Sequence, residues 1–233
     1  MADSLILLEG RYQRAVRGIL ITLEGIDGSG KSTAARQLCK RLEEYFPHRE
    51  LILTSEPTGG NAGKLLRESL LGKALEKDID VFRARRMEEL LLFMADHADH
   101  LSRIVIPSLK QGAIVISDRY ADSTAAYQGV TLRDIVPDPV AWIRGLYQPW
   151  NLVPDRTLLF LLDPSLAMAR ISSRHGREKF ESPEFLHLVD ANFRALAALE
   201  PARFRVVDGS RSVPEVAEEA LSHLLPLLGG QLV

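Results

Sequence analysis

The stretch that most restricts the fold runs from Leu20 to Thr33, reading Leu-Ile-Thr-Leu-Glu-Gly-Ile-Asp-Gly-Ser-Gly-Lys-Ser-Thr. An apolar, β-prone run breaks into glycines, and a helical pattern begins at Ala34. Gly25 and Gly30 enclose four residues and Lys31-Ser32 follows, which completes the phosphate-loop signature G-x-x-x-x-G-K-[ST]. Glycines let successive backbone N–H groups turn inward around phosphate oxygens, and the next helix points its positive end at the same place. Gly25, Ile26, Asp27, Gly28, Ser29, Gly30, Lys31, Ser32 and Thr33 are therefore expected to cradle a nucleoside triphosphate. Lys31 would span the β- and γ-phosphates, and the Ser32 hydroxyl would complete a Mg²⁺ shell.

Composition narrows what surrounds this loop. A chain of 233 residues with 46% apolar content can bury one substantial α/β core. Basic and acidic residues nearly cancel, 29 against 31, and a net charge of −2 argues against a broad nucleic-acid surface. Cys39 is the only cysteine, so no intrachain disulfide can form, and its spacing with Ala35, Leu38 and Leu42 puts it on an apolar helix face. No apolar run has membrane-spanning length, and Met1-Ala2-Asp3 lacks the basic start of a secretory leader, so the expected compartment is the cytoplasm and no membrane partner is expected.

Strand 19–24 leads into a helix from Ser32 to about Tyr45, which Pro47 ends. A second strand, 51–54, flows into Ser55-Glu56-Pro57-Thr58-Gly59-Gly60, a strand-to-helix loop of the kind that carries ligand contacts in open α/β sheets. Helical spacing spans 63–71 and about 79–103, where Met87, Leu90, Leu91, Met94, Ala98 and Leu101 make a buried stripe. Phe93 and His97, four apart, share a neighbouring face that could stack on and hydrogen-bond a planar base. His97, Asp99 and His100 also have the composition of a metal site, but no further ligand set converges on them.

Residues 113–117 read as a strand buried on both faces, ending in Asp118-Arg119-Tyr120 and followed by Ser123-Thr124-Ala125-Ala126-Tyr127-Gln128-Gly129. An acid and an arginine at the carboxyl end of a central strand sit where a phosphate-loop fold gathers metal and phosphate groups. A short helix at 138–147, a strand at 156–163 and a helix from about Pro164 precede Arg174-His175-Gly176-Arg177-Glu178-Lys179. That basic segment suits a mobile lid over phosphates, at about 172–182. Ser182-Pro183-Glu184 starts the next helix, 204–207 is the last strand, and Ser212-Val213-Pro214-Glu215 caps the closing helix. Five strands alternating with helices predict one doubly wound α/β domain over 18–228. Residues 1–17 are an N-terminal extension, apolar at 5–8 and basic at Arg11, Arg14 and Arg17, to which the sequence assigns no role.

From about Gly18 to Leu225 these motifs together resemble the thymidylate kinases, a family of P-loop nucleoside-monophosphate kinases. The carriers are Leu23 to Thr33, Glu56-Pro57, Leu91-Leu92-Phe93-Met94-Ala95-Asp96, Asp118-Arg119-Tyr120 through Ser123 to Ala126-Tyr127-Gln128-Gly129, and Pro154-Asp155. The resemblance implies a three-layer α/β/α P-loop kinase fold with a five-stranded parallel sheet, a homodimer, and transfer of the ATP γ-phosphoryl group to dTMP with Mg²⁺, giving dTDP and ADP. It implies that Asp27 contacts the acceptor sugar and phosphate, Phe93 stacks on thymine, and Thr124 and Tyr127 border the base and deoxyribose. Glu56, Pro57, His97, Ser123 and Gln128 complete the implied acceptor site, with a cis Glu56-Pro57 peptide. Arg119 would hold the acceptor phosphate against the donor, Asp118 would reach Mg²⁺, and Arg174 and Arg177, with Lys179, would bring lid charge to the catalytic Lys31 and Arg119.

An acceptor phosphate is already a nucleophile, so the expected catalysis is alignment plus cancellation of negative charge, with no general base. The chain departs from the family pattern at Ser55, where an arginine commonly precedes Glu-Pro, and at His97, where an arginine commonly donates to the thymine carbonyl. Histidine can donate one bond there but lacks the guanidinium fork. Position 28, basic in some members, is glycine. Two alternatives to dTMP kinase activity stand beside it: a pyrimidine-monophosphate kinase with altered choice among dUMP, UMP and CMP, and a non-catalytic nucleotide-binding protein.

Overall fold

In the computed structural model, which describes residues 6–8, 11–13, 18–71, 78–172 and 182–229, the strand that leads into the glycine loop is the middle strand of a sheet. Before it come two short antiparallel strands, β1 (Ile6–Leu8) and β2 (Arg11–Gln13), which pair with each other. The main sheet consists of β3 (Ile19–Glu24), β4 (Leu51–Ser55), β5 (Ile114–Asp118), β6 (Arg156–Leu161) and β7 (Phe204–Asp208). All four pairings are parallel and the spatial order is β4-β5-β3-β6-β7. The predicted five-stranded parallel sheet is therefore present.

Nine helices surround it among the described residues: α1 (Lys31–Tyr45), α2 (Asn61–Leu71), α3 (Ile79–His100), α4 (Ile106–Lys110), α5 (Ala121–Thr131), α6 (Pro139–Tyr147), α7 (Pro164–Ser172), α8 (Pro183–Leu199) and α9 (Val213–Leu228). Alternation along β3 sorts the two faces. Ile21 and Leu23 pack with Leu38 and Leu42 of α1 and with Leu221 and Leu224 of α9. Leu20 joins Val115 and Leu159 against Leu90 of α3, Ala125 of α5 and Phe193 of α8. Burial on both faces explains why β3 and β5 read as near-continuous apolar runs. The chain crosses from β3 to the β4 side and later returns to the β6 side. That reversal opens a crevice at the carboxyl end of β3, where the glycine loop begins.

Two details of the long helix differ from the sequence expectation. A single helix over about 79–103 is predicted, whereas α3 passes at Leu101–Val105 into a five-residue π-helical segment and continues as α4 to Lys110. Pro107 has no N–H and its ring would press on the carbonyl four residues back, and the widened turn lets the helix run past it. The predicted stripe also fails in part: Leu90 and Leu101 are buried, but Leu91 is 57% exposed and Ala98 lies on the surface. Glu89, Asp96, His97 and His100 occupy the inner positions instead. Periodicity of apolar residues cannot foresee a buried face that is satisfied by polar partners. No described helix is long and apolar enough to cross a membrane.

Candidate active site

The glycine loop turns by left-handed backbone at Gly28 (φ 80°) and Gly30 (φ 94°) before α1 starts at Lys31. A Cβ at position 28 would lie 2.5 Å from the Ala167 carbonyl oxygen of α7, so the glycine is required by packing as well as by φ. Lys31 is buried, and its ammonium donates to the carbonyls of Gly25 (2.9 Å) and Ile26 (2.8 Å) and to the Ser29 hydroxyl (3.2 Å). Burial, followed by the Arg119 charge, lowers this ammonium to about 8. One turn of chemistry away, the Ser32 hydroxyl donates to the Asp118 carboxylate, which brings together the two oxygens expected to hold Mg²⁺. Hard oxygen donors of this kind fit that ion.

Asp118 ends β5, and Arg119 follows it with φ 73°, a left-handed backbone that costs a non-glycine residue about 1–2 kcal/mol. The turn aims the guanidinium back at the loop. Nη1 donates to the Ser123 hydroxyl (3.0 Å) and the Gly25 carbonyl (3.3 Å), while Nη2 donates to the Asp27 carboxylate and the Tyr127 hydroxyl (3.3 Å). Tyr127 in turn donates to Asp27 Oδ2 (2.8 Å) and accepts from the Asp27 amide (3.0 Å). Burial works against the Asp27 anion, but Arg119 and then Lys31 outweigh it and hold the carboxyl below its usual range. Burial also pushes the Tyr127 phenol up.

Three clefts adjoin around these residues. The central one, about 240 Å³, is lined by Lys31, Ser32, Glu56, Pro57, Arg67, Asp118 and Arg119. It shares Gly28, Gly30 and Thr33 with a cleft of about 430 Å³ on the far side of the loop, walled by Arg170, Arg211 and Val213. It shares Asp27, Pro57 and Arg119 with a narrow slot of about 70 Å³, lined by Phe93, Leu70, Ser123 and Tyr127. A separate hollow of about 300 Å³ beside Arg144 and Arg203 shares no residue with the glycine loop.

Sequence reasoning missed two arginines of these clefts. Arg67 of α2 donates to the carbonyls of Pro57 and Thr58 (2.5 Å to the latter), which places a third cation beside Lys31 and Arg119. Arg170 of α7 donates to the Gly28 carbonyl (3.4 Å) and the Gly209 carbonyl (2.9 Å). Arg67 follows a strand-end loop already marked as a ligand position, and that was the available signal. Glu24, part of the motif that carries the resemblance but given no site role by the sequence, is completely buried and receives a hydrogen bond from Ser123.

On the base side the structure corrects one expectation. Glu56-Pro57 is cis, and the Glu56 carboxylate accepts from Nδ1 of both His97 (2.8 Å) and His100 (2.6 Å) through a single oxygen. His97 is fully buried, its Nε2 meets Asn151 Oδ1 at 2.9 Å, and Tyr120, Tyr147 and Trp150 pack edge-on around its ring. With both nitrogens engaged and no exposed surface, His97 is not placed to read a base, and it does not line the slot beside Phe93. Burial opposes the Glu56 anion, yet the two imidazoles overcome it and bring the carboxyl down to about 2. Thr124 and Gln128 are also buried on α5 and stand outside the lining of the slot. Asp99 pairs with Arg103 (2.5 Å), away from the two histidines' shared partner. Arg174, Arg177 and Lys179 lie outside the described residues.

A parallel sheet of this order, a phosphate loop at the end of its middle strand and cations facing that loop across a cleft define a P-loop phosphotransferase. Comparison with known proteins makes the class specific. The family model for thymidylate kinase matches residues 23–220. A protein of Methanosarcina barkeri described as "Probable thymidylate kinase" is 44% identical over 215 residues, covering 91% of this chain and 98% of that protein. One from Halobacterium salinarum, with the same description, is 43% identical over 211 residues, covering 89% and 98%. The crystal structure of thymidylate kinase from Ehrlichia chaffeensis superimposes with a TM-score of 0.66 at 31% identity, covering 89% of this chain and 98% of that one. The chain belongs to the thymidylate kinase family, and it is a dTMP kinase by that membership.

Proposed function

We propose that the protein transfers the γ-phosphoryl group of ATP to dTMP, yielding dTDP and ADP, with Mg²⁺ held at Ser32 and Asp118. The observation that carries this reading is the central cleft, which Lys31, Arg67 and Arg119 all line. An acceptor phosphate oxygen attacks the γ-phosphorus, the bond to the β–γ bridging oxygen breaks, and ADP leaves with the electron pair. Lys31 exchanges its loop carbonyls for phosphate oxygens, and Arg119 releases Asp27 for the acceptor phosphate. Bound at Ser32 and Asp118, Mg²⁺ would supply further charge cancellation on the triphosphate. The adenine end fits the cleft beside Arg170, and the thymine end fits the slot beside Phe93.

The same reading takes the protein as a homodimer. Ala84, Met87, Leu91, Leu92 and Ala95, with Glu88 beside them, line a largely apolar patch on α3 that the described residues leave partly exposed, and a second copy of this chain would cover it. Turnover with ATP and Mg²⁺ across dTMP, dUMP, UMP and CMP tests the acceptor assignment. A clear preference for dTMP supports it, and equal use of the four would favour the broader pyrimidine-monophosphate kinase. ATP binding with no transfer to any monophosphate would favour the non-catalytic alternative.

A further inference from the structure

The Arg119 guanidinium is held at two ends that differ in kind. Nη2 faces the Asp27 carboxylate and the Tyr127 hydroxyl, which line the acceptor slot together with Ser123. Nη1 faces neutral oxygens, the Gly25 carbonyl at 3.3 Å and the Ser123 hydroxyl at 3.0 Å. Ser123 does not stand alone, since its hydroxyl donates to Oε2 of Glu24. Glu24 is the last residue of β3, has no exposed surface, and its Oε1 has no hydrogen-bond partner among the described residues.

A carboxyl group in that position is costly if it serves only the fold, because an apolar residue would fill the space without an unsatisfied oxygen. Asp122, the neighbouring acid, is taken twice by Arg203 (2.6 and 3.2 Å), which leaves that arginine committed elsewhere. Burial and then Asp122 push the Glu24 carboxyl well above the usual carboxylate range, which favours the neutral acid. A neutral acid can orient Ser123 without drawing charge away from Arg119. An ionised one would compete with phosphate for the same cation.

We propose that Glu24 is a positioning residue for phosphoryl transfer: through the Ser123 hydroxyl it fixes the Nη1 end of Arg119, so that the incoming acceptor phosphate exchanges only the partners of Nη2. The proposal rests on the reading of Arg119 as the group that holds the acceptor phosphate. A tether of this kind lets the guanidinium change partners by a small rotation while its aim is kept.

The test uses E24A, E24Q, S123A and the E24A/S123A double variant of the full chain, each checked for folding by thermal melting. E24A and S123A are each expected to lower kcat on the order of 10²-fold, the scale of a small misplacement of a reacting group. The double variant falls no further, because the two act as one unit, and KM for ATP stays within about twofold. E24Q restores most of the lost kcat, since its amide oxygen still accepts from Ser123. Independently of turnover, NMR of ¹⁵N-labelled arginine reads rotation about the Arg119 guanidinium bonds, which E24A and S123A should speed. A folded E24A with wild-type kcat and unchanged Arg119 signals overturns the proposal, and so does a double variant whose losses simply add. E24Q as impaired as E24A removes the neutral-acid role. If E24A does not fold, S123A, E24Q and the NMR signals decide the matter. Should the wild-type protein fail to phosphorylate dTMP, the assignment of function falls, while the NMR readout still decides the tether.

Discussion

At the phosphate end of the acceptor cleft, Asp27, Lys31, Ser32, Asp118 and Arg119 come from two short segments, 27–32 and 118–119, that follow or end adjacent parallel strands. At the base end, Phe93, Pro57 and Leu70 come from three separate elements, and of the polar groups behind them Glu56 adjoins Pro57, His97 and His100 share α3 with Phe93, and Asn151 adds a fourth stretch of chain. The first end is organised by backbone geometry, with amides, a helix start and a left-handed arginine aimed at one point. The second is organised by a buried carboxylate that satisfies two imidazoles. Chemistry and stability are thus concentrated at different ends of one site, and substitutions should separate them.

The largest separation is expected from Lys31→Ala, which removes the cation that offsets negative charge on the transferring phosphoryl group and should lower kcat about 10²–10³-fold, with the melting temperature little changed. Steady-state kinetics and a thermal melt on the same preparation check both halves of that statement. Glu56→Leu should do the reverse. It leaves two buried Nδ1–H groups without an acceptor and should cost about 3 kcal/mol, or on the order of 10 °C in melting temperature, with KM for ATP preserved. The pH dependence follows with a definite sign. Because the folded-state carboxyl is depressed from 4.5 to about 2, its contribution is complete above pH 4.5 and is lost as pH falls toward 2. Denaturant titrations of the wild type and Glu56→Gln should therefore converge on acidification.

His97→Arg is the sharper probe of the base end. The family pattern implies that an arginine here reads thymine, whereas the closed ring of Tyr120, Tyr147 and Trp150 predicts overpacking. Stability should fall by about 1–3 kcal/mol, and the ratio of dTMP to dUMP turnover should hold. A marked gain in that ratio would show that the base end opens to position 97. The smallest effect is expected from Arg67→Ala: a rise of about tenfold in acceptor KM, or about 1.4 kcal/mol, with kcat nearly kept.

These same differences explain what could be read before the structure. The glycine loop, the Asp118-Arg119 pair and the five alternating strands are local patterns whose physics is complete within a few residues, and each is found in its expected place. Phe93 was legible as an aromatic at helical spacing, and the cis Glu56-Pro57 bond through family resemblance alone. His97 was misplaced because its true partners, Glu56 and Asn151, lie 41 and 54 positions away, and no periodicity encodes such pairings. Arg67 escaped for a related reason: its value comes from lining one cleft with Lys31, a relation set by how α2 packs. The outward turn of Leu91 likewise follows from polar residues claiming the inner face of α3.

The central claim is that donor and acceptor phosphates meet between Lys31 and Arg119. A single molecule in which adenosine and thymidine are joined through a chain of phosphates tests it directly. Measured by competition, it should displace both ATP and dTMP at one-to-one stoichiometry, and Arg119→Ala should weaken it. Displacement of only one of the two nucleotides would contradict a shared cleft.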